Sequence, residues 1–85
     1  MKIRFTEPAG RDFRRLDVNT RQRIGKKLNW LAQQESPLDF AEPLVDSRIG
    51  RYRFRIGDYR IIFDIERGWI TVGLVGHRRE IYKKI

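Results

Sequence analysis

The chain has 85 residues and a formal net charge of +8 at pH 7. A chain of this length forms one domain and buries only about 60–65% of its unfolded surface, so we expect any functional site to be shallow and on the surface. The absence of cysteine excludes disulfides and thiolate chemistry, and a single histidine, His77, argues against a metal or cofactor site. No apolar run reaches the roughly 20 residues that span a bilayer and the N-terminus lacks a signal-peptide core, so we expect a cytoplasmic protein without a membrane partner.

The first half of the chain predicts a strand followed by two helices. Residues 2–6 alternate as a short strand does, and Thr6 can cap a helix that begins at Glu7 and Pro8. Residues 17–19 interrupt the apolar pattern and offer a new cap for a second helix, which continues to about Gln34. Pro37 ends this helix, because the residue before a proline disfavours the α region. The pattern therefore predicts a helical hairpin after the first strand.

The second half predicts a three-stranded antiparallel meander. Residues 37–50 carry weak signals and are predicted as a connection, and the strands follow at 51–56, 59–65 and 69–76. The tail then leaves the sheet and is anchored by Ile81 and Tyr82. We predict a single α+β domain over residues 1–85, in which the N-terminal strand and the meander form one mainly antiparallel sheet with the helical hairpin on one face.

The segment RYRFRIGDYR, residues 51–60, is the most informative part of the chain. Apolar and arginine side chains alternate, and Gly57-Asp58 predicts a two-residue turn that sets the register of the hairpin. That register places Arg55 opposite Arg60 and Arg53 opposite Ile62. Three arginines then share the face opposite the apolar residues, where like charges destabilise the ladder. Cross-strand acids could offset part of this charge, but the cluster favours a site that holds an anion.

The positive charge is concentrated in the second half of the chain. Residues 1–47 carry nine basic and seven acidic side chains, a net charge of +2, whereas residues 48–85 carry ten and four, a net charge of +6. This bias favours a polyanionic partner, with nucleic acid the first candidate. An acidic protein or an anionic membrane surface would satisfy the same charge.

The run YRFRIGDYRIIFDI, followed by a strand and then VGHRREIY, resembles the RelE toxins of the RelE/ParE superfamily of type II toxin–antitoxin systems. The resemblance implies a ribosome-dependent mRNA endonuclease that acts on A-site mRNA and is neutralised by a cognate RelB-like antitoxin. By position, Arg53, Arg55 and Arg60 match basic residues of the family's sheet. Arg78 and Tyr82 match the arginine and tyrosine that complete its site. Some RelE proteins carry lysine where this chain has Arg53 and Arg55, and arginine is a poor general base.

Metal-free RNA cleavage needs a deprotonated 2′-OH, stabilisation of charge at phosphorus and a proton for the leaving 5′-oxygen. The four arginines above could surround the phosphate, and His77 and Tyr82 are the candidates for proton transfer. Either could have a structural role instead, His77 by bonding backbone and Tyr82 by anchoring the tail. Glu42 is an outside candidate for the base. Further RNA contacts are predicted for Arg51, Arg79 and Lys83, although Arg51 could instead pair with Asp64.

Two other functions compete with the mRNA endonuclease. One is a ParE-like inhibitor of DNA gyrase on the same fold, and the other is a non-catalytic module that binds RNA or DNA. His77 and Tyr82 argue against the gyrase inhibitor, because binding a topoisomerase needs no acid–base pair.

Overall fold

The computed structural model describes residues 1–45 and 47–83, which form one five-stranded sheet with two helices packed on it. The elements in chain order are β1 Lys2–Phe5, α1 Glu7–Arg15, α2 Val18–Ala32, a 3-10 helix Pro37–Phe40, β2 Glu42–Pro43, β3 Tyr52–Ile56, β4 Tyr59–Glu66, β5 Trp69–His77 and α3 Arg78–Ile81.

Side-chain caps set where both long helices begin. The backbone N–H of Ala9 donates to the Thr6 hydroxyl, 3.4 Å away, and Pro8 lies in the first turn of α1, where its missing N–H costs nothing. The N–H of Thr20 donates to the Asp17 carboxylate over 3.1 Å at the start of α2. The break predicted between two helices is therefore confirmed.

The sheet has the order β1-β5-β4-β3-β2. β1 runs parallel to β5, and the other neighbours are antiparallel, so the predicted α+β class and mainly antiparallel sheet are confirmed. Gly57 has φ of +58°, which the predicted two-residue turn requires and which glycine adopts without strain. The register places Arg55 opposite Arg60 and Arg53 opposite Ile62, also as predicted.

The two faces of the sheet are covered differently. The helices lie on one face over the main core, whose buried strand residues include Phe54, Ile61 and Phe63. On the other face, a smaller cluster of Ile62, Leu74 and Ile81 is covered by Leu44 and Ile49 from the segment between β2 and β3. Gly73 permits this cover, because a Cβ there would lie 2.4 Å from the carbonyl oxygen of Ile49. Beside this cluster, Arg55 on the same face is exposed to solvent.

Three short elements were not predicted from the sequence, the 3-10 helix, β2 and α3. β2 lies within the predicted connection, and two residues are too few to show a period of two. α3 has four residues and occupies the segment that was predicted only to leave the sheet. Within residues 1–45 and 47–83, no helix is long and apolar enough to cross a membrane.

Candidate functional site

The arginine cluster, defined as Arg53, Arg55 and Arg60, lies on the sheet face opposite the two long helices. Arg53 and Arg55 alternate along β3 with the buried Phe54 and Ile56, and Arg60 comes from β4 across the Arg55–Arg60 pair. Since side chains alternate between faces, apolar packing on one side orients all three arginines to the other. The structure thus brings together the three sheet arginines that the sequence singled out.

Arg53 is the point where several contacts converge. One of its terminal nitrogens, Nη1, donates to the hydroxyl of Tyr82, and its guanidinium carbon lies 5.6 Å from the centre of the Tyr82 ring. The other, Nη2, lies 2.5 Å from Oε2 of Glu42. Its Nε is buried and has no hydrogen-bond partner among residues 1–45 and 47–83. Only 14% of the side chain is exposed, so these contacts hold the guanidinium in one place.

Glu42 supplies the negative charge that the cluster needs. It pairs with Arg53 across β2 and β3, and its Oε1 lies 3.0 Å from Nε of Arg55. The hydrogen bond from Arg53 holds the pKa of this carboxyl below its usual range, and the positive charges of Arg55 and Arg60 act in the same direction. From the sequence, Glu42 was only a weak candidate for the general base, and it was predicted to lie in a loop. Its position beside the cluster depends on β2, which had no sequence signal.

Arg60 is tied to the turn of the β3–β4 hairpin. Its Nη1 donates to the carbonyl oxygens of Gly57 and Tyr59, both 2.9 Å away. Its Nε is buried and without a hydrogen-bond partner in the described part of the chain. Nε of Arg53 is unpaired in the same way, and each buried donor without an acceptor carries a cost in stability.

Arg78 fixes the start of α3 to the same turn. Its backbone N–H donates to the carbonyl oxygen of Asp58 over 2.7 Å, and its Nε lies 3.6 Å from the Asp58 carboxylate. Three residues on, Ile81 is fully buried in the second core cluster. These two attachments place Tyr82, which is half exposed, next to Arg53.

His77 lies apart from the arginine cluster. In the register it is opposite Tyr59, on the face that carries the helices, and the two rings meet edge-on with centres 5.5 Å apart. Its Nδ1 accepts a hydrogen bond from the backbone N–H of Arg79 over 3.2 Å, so the side chain caps α3. His77 therefore makes the hydrogen bond to backbone that the sequence analysis gave as its structural alternative to proton transfer.

The three residues predicted as additional RNA contacts differ in their surroundings. Nε of Arg51 lies 3.1 Å from Oδ1 of Asp64, and this hydrogen bond raises the pKa of Arg51 above its usual value, so the alternative of an ion pair is confirmed. Arg79 and Lys83 are exposed on α3 and just after it. In the described ranges, no three His, Cys, Asp or Glu side chains come together in a way that could hold a metal ion.

Comparisons with known proteins concern the chain as a whole rather than its single site residues. Residues 3–82 match the family model described as the ParE toxin of type II toxin–antitoxin systems. The RelBE2 toxin–antitoxin complex of Mycobacterium tuberculosis matches with 26% identity and a TM-score of 0.78, over 91% of this chain and 90% of that one.

Two Escherichia coli structures share the fold at lower identity. The intact RelBE complex matches with 20% identity and a TM-score of 0.71, over 89% of this chain and 94% of that chain. The isolated RelE toxin matches with 22% identity and a TM-score of 0.68, over 98% and 92%. A search of curated proteins found no significant match.

Proposed function

The chain belongs to the family of ParE toxins of type II toxin–antitoxin systems, and we propose that it acts as a ribosome-dependent mRNA endonuclease neutralised by a RelB-like antitoxin. In this proposal it acts in the cytoplasm, on mRNA in the ribosomal A site. The observation that carries the proposal is the contact between Arg53 and the hydroxyl of Tyr82 beside the arginine cluster. The structural likeness to RelE toxins supports the same reading.

The arginine cluster suits the phosphate at which RNA would be cut. Attack by the 2′-OH adds negative charge at phosphorus, and fixed guanidinium donors stabilise such charge without having to reorganise. Arg60 contributes a guanidinium that the carbonyl oxygens of Gly57 and Tyr59 hold in place, and Arg55 contributes an exposed one. Arg78, held at Asp58, adds a half-exposed charge at the hairpin end of the same sheet.

Tyr82 is the proton-transfer group that the geometry favours. Its oxygen accepts from Nη1 of Arg53, which leaves the hydroxyl proton free to be donated to a leaving 5′-oxygen. His77 stays a weaker candidate for this role, because its Nδ1 already caps α3 and its ring packs on Tyr59.

Inhibition of DNA gyrase is the second candidate, since the matching family model is described as a ParE toxin. That activity would require a surface complementary to a topoisomerase. Gyrase inhibition gives no role to the hydrogen bond between Arg53 and the hydroxyl of Tyr82.

Primer extension on mRNA translated by purified ribosomes tests the proposal. Addition of the wild-type protein should give cuts between the second and third bases of the A-site codon. Tyr82→Phe keeps the ring packed on Arg53 and removes only the hydroxyl, so it should lose most cleavage while its thermal unfolding midpoint stays near that of the wild type. Intact mRNA together with DNA-damage signals in producing cells would favour the gyrase inhibitor instead.

A further inference from the structure

Glu42 occupies a position between two of the arginines that the proposed function assigns to phosphate. Its two carboxylate oxygens contact different guanidinium groups, Oε2 at 2.5 Å from Nη2 of Arg53 and Oε1 at 3.0 Å from Nε of Arg55. Phosphate oxygens make the same kind of charge-assisted hydrogen bond to arginine. One internal anion therefore already bridges the pair.

Arg53 has little capacity for a second anion in this arrangement. Nη1 donates to Tyr82 and Nη2 contacts Glu42, whereas Nε has no partner among the described residues but is buried away from solvent. Only 14% of the side chain is exposed. Glu42 is the more open partner, with 47% of its side chain exposed. A phosphate that approaches Arg53 from solvent meets this carboxylate, and two anions at one guanidinium repel each other.

We propose that Glu42 is an internal competitor for the phosphate site. In the free protein its carboxylate holds the position on Arg53 and Arg55 that a phosphodiester takes in the complex, and the two anions exchange. The assignment of that phosphate to RNA rests on the proposed function, whereas the exchange itself requires only a phosphate group.

The setting of Glu42 allows it to leave. β2 has two residues, includes Pro43 and lies at the edge of the sheet, so an outward movement of Glu42 disrupts little of the ladder. Ion pairs with exposed partners are weak and screened by salt, which describes the pair with Arg55. Arg53 lies deeper and keeps its contact with Tyr82. The exchange therefore moves the carboxylate and leaves the guanidinium in place.

The affinity for inorganic phosphate tests the exchange, and it can be followed through the Nε–H signals of Arg53 and Arg55 in NMR spectra. Glu42→Gln removes the charge and keeps the size of the side chain, so it should bind phosphate roughly fivefold more tightly than the wild type, or better. Glu35→Gln makes the same change of net charge at an exposed residue after α2 and should bind like the wild type. Equal or weaker phosphate binding by Glu42→Gln overturns the proposal.

Glu42→Asp provides a second measurement if Glu42→Gln does not fold. The aspartate is one methylene shorter and cannot span both guanidinium groups from the same backbone position. The Arg55 signal should then respond to phosphate at a lower concentration than in the wild type. An unchanged Arg55 response contradicts the exchange.

Cleavage in the ribosome assay separates this proposal from the proposed function. Tighter phosphate binding by Glu42→Gln, with no cleavage by the wild type, supports the exchange and rejects the nuclease. Cleavage by the wild type, with no gain in phosphate affinity for Glu42→Gln, supports the nuclease and rejects the exchange.

Discussion

Among single side chains, Glu42 changes how the arginine cluster is understood. The sequence left open which acids could offset the repulsion between Arg55 and Arg60 across the ladder, and in the structure one carboxylate bridges Arg53 and Arg55. Since the pKa of Glu42 is lowered in the fold, these pairs stabilise the folded state at pH values above the ordinary range of a glutamate. Their contribution is lost as the pH falls through the lowered value.

Arg60→Ala should reduce cleavage by roughly 10²–10³-fold, because it removes one fixed donor beside the reacting phosphate. Arg11→Ala removes the same charge from an exposed position on α1 and should cleave at the wild-type rate. Both variants are compared in the ribosome assay and by thermal unfolding. Normal cleavage by a folded Arg60→Ala protein would restrict Arg60 to its hydrogen bonds with Gly57 and Tyr59.

The short helix α3 links the end of β5 to the arginine cluster. It begins with the His77 cap and the bond from Arg78 to Asp58, and it ends with Tyr82 in contact with Arg53. Four residues are too few for a helix to be stable by itself. The position of Tyr82 therefore depends on the attachments at both ends of the helix.

His77→Asn should keep cleavage near the wild-type rate, because asparagine caps helices well but cannot act as an acid or base near neutral pH. His77→Ala removes the cap, which typically costs about 1 kcal/mol, and should lower both cleavage and the thermal unfolding midpoint. Cleavage rates and unfolding curves of the two variants provide the comparison. Equal loss of cleavage in both would assign the imidazole itself to the reaction.

The molecule as a whole presents a second surface that suits a protein partner. A groove of about 410 Å³ lies between α2 and β3, with Trp30, Phe40 and Phe54 inside it. The Trp30 ring is 4.8 Å from Phe40 and 6.5 Å from Phe54, centre to centre, and both Trp30 and Phe40 are exposed. Arg23 and Lys27 line the same groove. An acidic segment with an apolar side fits this combination.

Binding of a RelB-like antitoxin should bury Trp30, since exposed aromatic residues are frequent anchors in tight interfaces. Trp69→Phe leaves Trp30 as the single tryptophan, and its fluorescence should shift to shorter wavelength as the complex forms. Trp30→Phe reports on Trp69 in the same way. A complex that forms without any change at Trp30 would place the antitoxin outside this groove.

Short-range patterns predicted much of the fold, because alternation and turn type act over a few residues. Residues 51–60 specify both the β3–β4 register and the face of the arginine cluster. The contacts that complete the site join distant parts of the chain. Arg53 meets Glu42 across 11 positions and Tyr82 across 29. Neither β2 nor α3 is long enough to show a period, so residue spacing could not place Glu42 beside the arginines, and only the resemblance to RelE toxins placed Tyr82 there.

The parallel pairing of β1 with β5 affects when the fold can be completed. Lys2 pairs with Trp69, and Nε of Arg4 donates to the Thr71 hydroxyl over 2.8 Å, across 67 positions. Contacts so distant in sequence slow folding, because a long loop must close before they form. During synthesis, β1 leaves the ribosome well before its sheet neighbour β5, because 67 positions separate Lys2 from Trp69. A nascent chain therefore cannot complete the sheet, or bring Tyr82 to Arg53, until β5 and α3 have left the ribosome.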